Sequence, residues 1–475
     1  MTDLATLSAC ALAKAIRDKQ LSSVEATKAA IERLQACHEL TNCLIALEAD
    51  EALSAAKAAD AAIANARATG PLAGVPLAHK DMFDRKGKIA SWGAKIRPDK
   101  PAVADATAIA RFKAAGALQI AALHLAEFAY GPTGHNYVLG HARNPWDPTR
   151  MTGGSSAGTA AAVAYGAIPV GLGSDTGGSL RLPAACCGVT SIKPTWGRIS
   201  RAGAMPLAPA LDTVGVIARH VEDLALTLGM LAGPDPRDPA ASSVPVPNYV
   251  ARLSDPIAGV RLGVDAALIA EAHPQVQRMV GEVSAILIKL GLRRATCRFT
   301  DWQTLDHLVQ LVQLPDASAA HSVFLRTRPT DYGPQVRARA EVGHFISAVD
   351  HLTALRARGL ILKRTLAETF KDVDVAILPI LADPLPTIAE LDVGGGPQVQ
   401  AAMGRVVKYT RPINYLGLPT LTLPIPRSGG LPNGVQLIGR PFAEAQLLAI
   451  GEAYQREVPP EIARPLRAAG RQPAR

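Results

Sequence analysis

Two serine-bearing turns and one lysine are the residues here whose types and spacing could carry covalent chemistry. Gly177-Gly178-Ser179 stands beyond the apolar run Ile168 to Gly173. Two glycines before a serine permit positive φ, so successive N–H groups can point into one concavity. Such a nest suits an oxyanion: Ser179 would attack a carbonyl while the amides of Thr176, Gly177, Gly178 and Ser179 receive the developing charge. An isolated G-G-S, without further support, reads more readily as an anion-binding or helix-capping turn.

A serine nucleophile needs a base, and none of the 11 histidines sits in a motif tied to Ser179. A second serine pair, Ser155-Ser156, follows Gly153-Gly154, and Lys80 lies just past the apolar run Val75 to Ala78. A lysine serves as base only where burial and nearby positive charge or amide dipoles draw its pKa toward neutrality. An arbitrary lysine is a solvated surface charge instead. Gly154 to Gly158 also satisfies G-x-S-x-G, which would make Ser156 the nucleophile of a hydrolase elbow. That elbow should follow a buried strand, whereas Asp147-Pro148-Thr149-Arg150 is a loop signature.

The elements that must position these residues can be read along the chain. Ser22 to Glu25 fits a capping box and predicts a helix from about 23 to 37, with an Ala-rich helix over 51–67 after it. Val75 to Ala78 reads as a strand delivering Lys80, 105–115 as helix and 117–123 as a buried strand. A long polar loop through His135, Asn136 and Asn144 then leads to the first serine turn, a helix over 159–167 and a strand over 168–173. Helical patterns at 275–290 and 349–370 alternate later with strands at 375–380, 420–424 and 434–439. The stretch 234–247, rich in Pro, Asp and Ser, reads as an internal excursion. Alternation of this kind predicts an α/β fold with a mostly parallel or mixed sheet.

Composition sets the outer limits. With 475 residues, 48% of them hydrophobic and only 19% charged, disorder is excluded as the whole answer. The longest soft stretch, 158–173, is too short and too interrupted to span a bilayer, so no membrane association is expected. The amino terminus lacks the features of a secretory signal, so a cytoplasmic location is expected. Six cysteines without a C-x-x-C pair indicate neither a disulfide framework nor a zinc site. The net charge of +9 owes much to four arginines in the last fifteen residues, and no basic run is interleaved with aromatics. Nucleic acid is therefore not an expected partner.

The segment 153–193, GGSSAGTAAAVAYGAIPVGLGSDTGGSLRLPAACCGVTSIK, resembles the amidase signature family. So do GVPLAHKD at 74–81, AGAL at 115–118, RNPWD at 143–147, KPTWGRISR at 193–201 and NGVQLIGRPF at 433–442. The resemblance implies a three-layer α/β/α fold with a large central mixed sheet flanked by helices. It implies a single domain over 1–460: a helical segment 1–70, a signature core 71–230, a more variable helical excursion about 234–370 and C-terminal strands 371–445. A flexible basic tail, 461–475, would follow. By motif position Ser179 corresponds to the acylated nucleophile, Ser155, after a cis bond from Gly154, to the bridging serine, and Lys80 to the base. Thr176, Gly177, Gly178 and Ser179 correspond to the oxyanion hole, and Ser156, Asp175 and Arg181 to supporting hydrogen-bonding residues. No metal or organic cofactor is implied. Two departures are Ala157, where glycine is common, and His79 before the lysine, which strand alternation turns away from the site.

The expected activity is hydrolysis of a carboxamide, anilide or carbamate of small-molecule size through a Ser179 acyl-enzyme. The alternative is the glutaminase (A) subunit of a glutamine-dependent aminoacyl-tRNA amidotransferase. Such proteins usually read S-I-R-Q-P at the nucleophile, whereas residues 179–183 read S-L-R-L-P. A binding protein without turnover is disfavoured, because a buried lysine beside serines is costly to keep. The acyl pocket is expected to draw on Met82 and Phe83, on Tyr130 and the loop to Asn136, and on Tyr409 to Tyr415. A homodimer is the expectation from base rates.

Overall fold

The computed structural model describes residues 4–67, 70–299, 301–427 and 430–463. The basic tail expected over 461–475 falls outside the described residues from 464 onward. Among the described residues one sheet of eleven strands organises the chain. In chain order these are β1 (Leu44–Leu47), β2 (Pro76–Lys80), β3 (Leu118–Leu123), β4 (Val170–Asp175), β5 (Thr190–Lys193), β6 (Thr213–Ala218), β7 (Arg261–Val264), β8 (Arg293–Thr296), β9 (Val375–Pro379), β10 (Thr420–Pro424) and β11 (Gly434–Gly439). Their order across the sheet is β1-β3-β2-β4-β6-β5-β10-β11-β9-β7-β8. β2 runs parallel to both β3 and β4, β4 pairs antiparallel with β6, and β7 is parallel to β8 and β9, so the sheet is mixed.

Successive strand residues enter different cores, as a period of two requires. Leu77 and Val216 pack with helices Ala9–Arg17, Val221–Leu231 and Glu444–Glu457, while their neighbours Ala78 and Ile217 pack with Ser23–Thr41 and Ala157–Ala164. The two apolar faces produce the three layers. β2, β4 and β6 are buried along their whole length, which is why they read as continuous apolar runs rather than alternating ones.

Ser22 makes the expected capping box with Glu25, and its helix runs to Thr41 before Asn42 closes it in the left-handed conformation. The helix after the first serine turn spans Ala157–Ala164, starting and ending earlier than 159–167 because it begins directly at Ser156. The region read as helical from 234 to 370 also holds β7 and β8, and its longest helix, Trp302–Thr327, continues through Pro315. Segment 234–247 is tied to the core: Asp235 accepts hydrogen bonds from Ser200 and Thr107, and Asp238 pairs with Arg201 at 2.7 Å. No described helix is long and apolar enough to cross a membrane.

Candidate active site

β2 and β4, side by side and parallel, end at Lys80 and Asp175, so their C-terminal ends present the lysine and the second serine turn together. Lys80 is fully buried, with Nζ 2.7 Å from Ser155 Oγ and 2.9 Å from Ser174 Oγ. Burial pushes its pKa down to about 7, against the opposing pull of Asp175 and Asp212. The Ser174 hydroxyl donates to Met82 Sδ at 3.1 Å. His79, one residue earlier, faces Gln119 on β3 across 3.2 Å, and burial lowers its pKa to about 3.

The Gly154–Ser155 bond is cis. A Cβ on Gly154 would collide with backbone of 131–134, so glycine there lets the turn nest against the preceding loop. Ser156 joins the two serine turns: its N–H donates to the Ser179 carbonyl at 3.3 Å and its hydroxyl to the Ser174 carbonyl at 3.3 Å. It thus braces the two turns, and it follows a loop where a nucleophile elbow would follow a buried strand. Ser179 is 9% exposed and lines a narrow cavity with about 20 Å³ of free volume, room for a water molecule or two. Its Oγ bonds to no described residue, so the Ser155–Ser179 link is open; catalytic hydrogen bonds often tighten only around substrate.

Asp175 organises the second turn. Its carboxylate accepts from the N–H groups of Gly178 (2.8 Å) and Leu180 (3.1 Å), from Asn414 Nδ2 (2.8 Å) and from Arg181 Nε and Nη2 (3.0 Å each). Burial raises its pKa, but Arg181, Lys193 and Asn414 outweigh burial and hold it well below the usual carboxylate range. The Arg181 guanidinium is wholly buried and also reaches Gln436 and Asn414, so it belongs to this ion-paired network and not to a substrate surface. Gly178 sits at φ +132°, the conformation that glycine tolerates. Of the four amides expected to face an oxyanion, that of Gly178 is committed to Asp175, while among the described residues no hydrogen bond engages those of Gly177 and Ser179. Thr176 spends its hydroxyl on Asp212 at 2.6 Å.

The expected pocket residues separate. Tyr130 lines the Ser179 cavity. Met82 lines a second cavity, of about 220 Å³, with Ser174 and Asp212. Phe83 is buried in the core and lines neither cavity, and Tyr409 donates its hydroxyl to the Leu268 carbonyl at 3.0 Å. From that last segment Thr410 and Arg411 reach the site, Thr410 through a 2.6 Å bond to the Gly177 carbonyl.

Other residues at the site had no signal in the sequence. Gln313 and Arg339 come from helices 302–327 and 334–342, and with Arg411 they line the Ser179 cavity. Arg411 is neutralised by Asp306 at 2.6 Å. Arg339 is buried, stacks over Tyr130 at 4.0 Å and bonds the Tyr130 carbonyl, but its Nε has no acceptor and no described carboxylate pairs with it. Burial lowers its pKa.

A family model described as Amidase matches residues 25–448. The chain is 37% identical to the A subunit of the glutamyl-tRNA(Gln) amidotransferase of Roseiflexus sp. (strain RS-1), over 96% of this chain and 97% of that protein. It is 36% identical to a putative amidase, AmiD, of Mycobacterium bovis, over 94% and 92% of the two chains. A solved structure of a vestigial protein complex bearing on the origins of an s-triazine catabolic enzyme superposes with a TM-score of 0.88 at 32% identity, covering 96% of this chain and 99% of the other.

Proposed function

The chain belongs to the amidase signature family and is an amidohydrolase; on that premise we propose that Ser179 attacks the amide carbonyl, with Lys80 as base and Ser155 as the relay. The observation that carries this reading is the buried Lys80 amine, 2.7 Å from Ser155 Oγ with its pKa drawn to about 7. A neutral amine takes the Ser155 proton, Ser155 takes that of Ser179, and the new Ser179–carbonyl bond places charge on oxygen before the free amides of Gly177 and Ser179. The relay then returns a proton to the nitrogen as the C–N bond breaks. Water hydrolyses the acyl-enzyme by the same path in reverse.

The side chains around Ser179 support an acyl group ending in a carboxylate or carbonyl, for which the narrow cavity would have to widen. Its free volume is slight, and the Arg339 guanidinium facing it lacks a carboxylate partner, which an anionic substrate end would supply. A second reading, release of ammonia from glutamine for a partner, is supported by the 37% identity to the A subunit of a glutamyl-tRNA(Gln) amidotransferase. Ammonia release by the purified chain from half-amides of short dicarboxylic acids, neutral amides, carbamates and glutamine separates the readings. The proposal expects turnover of anionic primary amides without a partner and none by Ser179→Ala. Turnover that survives Ser179→Ala overturns the assignment of the nucleophile.

A further inference from the structure

Away from the serines, two histidines and a carboxylate converge where the 133–141 loop meets the loop after β9. One ring nitrogen of His135, one of His141 and a carboxylate oxygen of Asp392 all lie within 4.8 Å of one another. Ligands on one tetrahedral zinc ion, each about 2.0–2.2 Å from it, lie roughly 3.5 Å apart, so side-chain adjustments of an ångström close the set. We propose that His135, His141 and Asp392 form a site for a divalent transition metal, zinc by its ligand types, that fastens these two loops together.

The surroundings already orient the ligands as metal sites require. His135 Nε2–H donates to the Ile388 carbonyl at 3.0 Å, which leaves Nδ1 with its lone pair, now bonded by the Thr133 hydroxyl at 2.8 Å. His141 Nδ1 lies 3.1 Å from main-chain atoms of Asn136, and its Nε2 is 3.9 Å from Asp392 Oδ2. The Tyr137 hydroxyl donates to the other Asp392 oxygen. His135 is buried, whereas the side chains of His141 and Asp392 are 26% and 42% exposed, so an ion has an entry path and a fourth position open to water. Two imidazoles and one carboxylate suit zinc, cobalt or nickel better than magnesium or calcium, which prefer oxygen.

The first loop adjoins the Ser179 cavity, and the second is bonded to a helix that lines it. Pro132 lines it just before Thr133, and Gln335, on the helix that carries Arg339, donates to the Leu391 carbonyl at 3.1 Å. Metal occupancy would therefore hold the wall that faces the acyl group.

The test uses the untagged full chain, stripped with chelator and titrated with Co2+. The expected result is one equivalent bound, visible absorption between about 500 and 650 nm of four-coordinate intensity, and displacement by Zn2+. His141→Ala and Asp392→Asn, both at partly exposed positions, should lose that absorption while keeping the wild-type circular dichroism. Absence of the bands in wild type, or their persistence in both variants, overturns the proposal. The spectrum does not depend on turnover, so its outcome is separable from that of the amidase assignment.

Discussion

Replacing Asp175 with asparagine perturbs the hub of the site without changing its volume. The carboxylate answers three backbone N–H groups of 178–181, Asn414 and two guanidinium nitrogens of Arg181, all fully buried. An amide keeps one acceptor oxygen and turns an NH2 toward donors, leaving Arg181 buried without a counter-charge. Breaking a buried pair from one side costs about 3–5 kcal/mol, and that loss is expected in urea unfolding followed by circular dichroism. The turn bearing Gly177 and Ser179 also loses its brace, so kcat should fall by about a hundredfold or more. Asp175 helps Lys80 keep its proton, so the inflection in kcat/KM should move below about 7 in the variant. A loss under about 1 kcal/mol with an unmoved pH profile would refute the hub argument.

Arg339→Met should lower kcat/KM for amides with an anionic acyl end by about ten- to a hundredfold, the worth of a charged hydrogen bond, and leave neutral amides nearly unchanged in a paired ammonia-release assay. For wild type, kcat/KM should rise with pH through about 7 if, as proposed, the active form is the neutral Lys80 amine; a flat or falling profile from pH 6 to 8 would contradict this. Lys193, also buried, has its pKa lowered to about 7 from 10.5 by burial and Arg181. The unfolded chain thus binds the extra proton between those values, so stability rises with pH there, and Lys193→Met should flatten the slope by up to about 1.4 kcal/mol per pH unit in denaturant titrations at pH 7.5 and 9.

The placement of the key residues could be read from the sequence because they lie at strand ends and glycine turns, but their roles came from the resemblance to the amidase signature family, since a lone G-G-S and a lone lysine read by themselves as a capping turn and a surface charge. Lys80 after an apolar run and Ser179 after two glycines are examples of such placement, and the opposite orientation of His79 followed from strand period alone. The commitment of the Gly178 amide to Asp175 could not be read, since it depends on how the turn folds back on its own strand. Arg339 and Gln313 were silent because helices far along the chain bring them in, and nothing local distinguishes a cavity arginine from a surface one; Asn414 lay in the 409–415 stretch expected at the pocket, but it serves there as a partner of Asp175. The exposed-looking strand β8, Arg293 to Thr296, was missed for a related reason: at the sheet edge it carries little apolar pattern.

The most direct test of the central claim is covalent labelling by a serine-reactive probe such as a fluorophosphonate, mapped by peptide mass spectrometry in wild type and Lys80→Met at several pH values. The account predicts the added mass on Ser179, a labelling rate that rises with pH through about 7, and near-complete loss of labelling in Lys80→Met. Label on Ser155 or Ser156 instead, or undiminished labelling without the lysine, would contradict it.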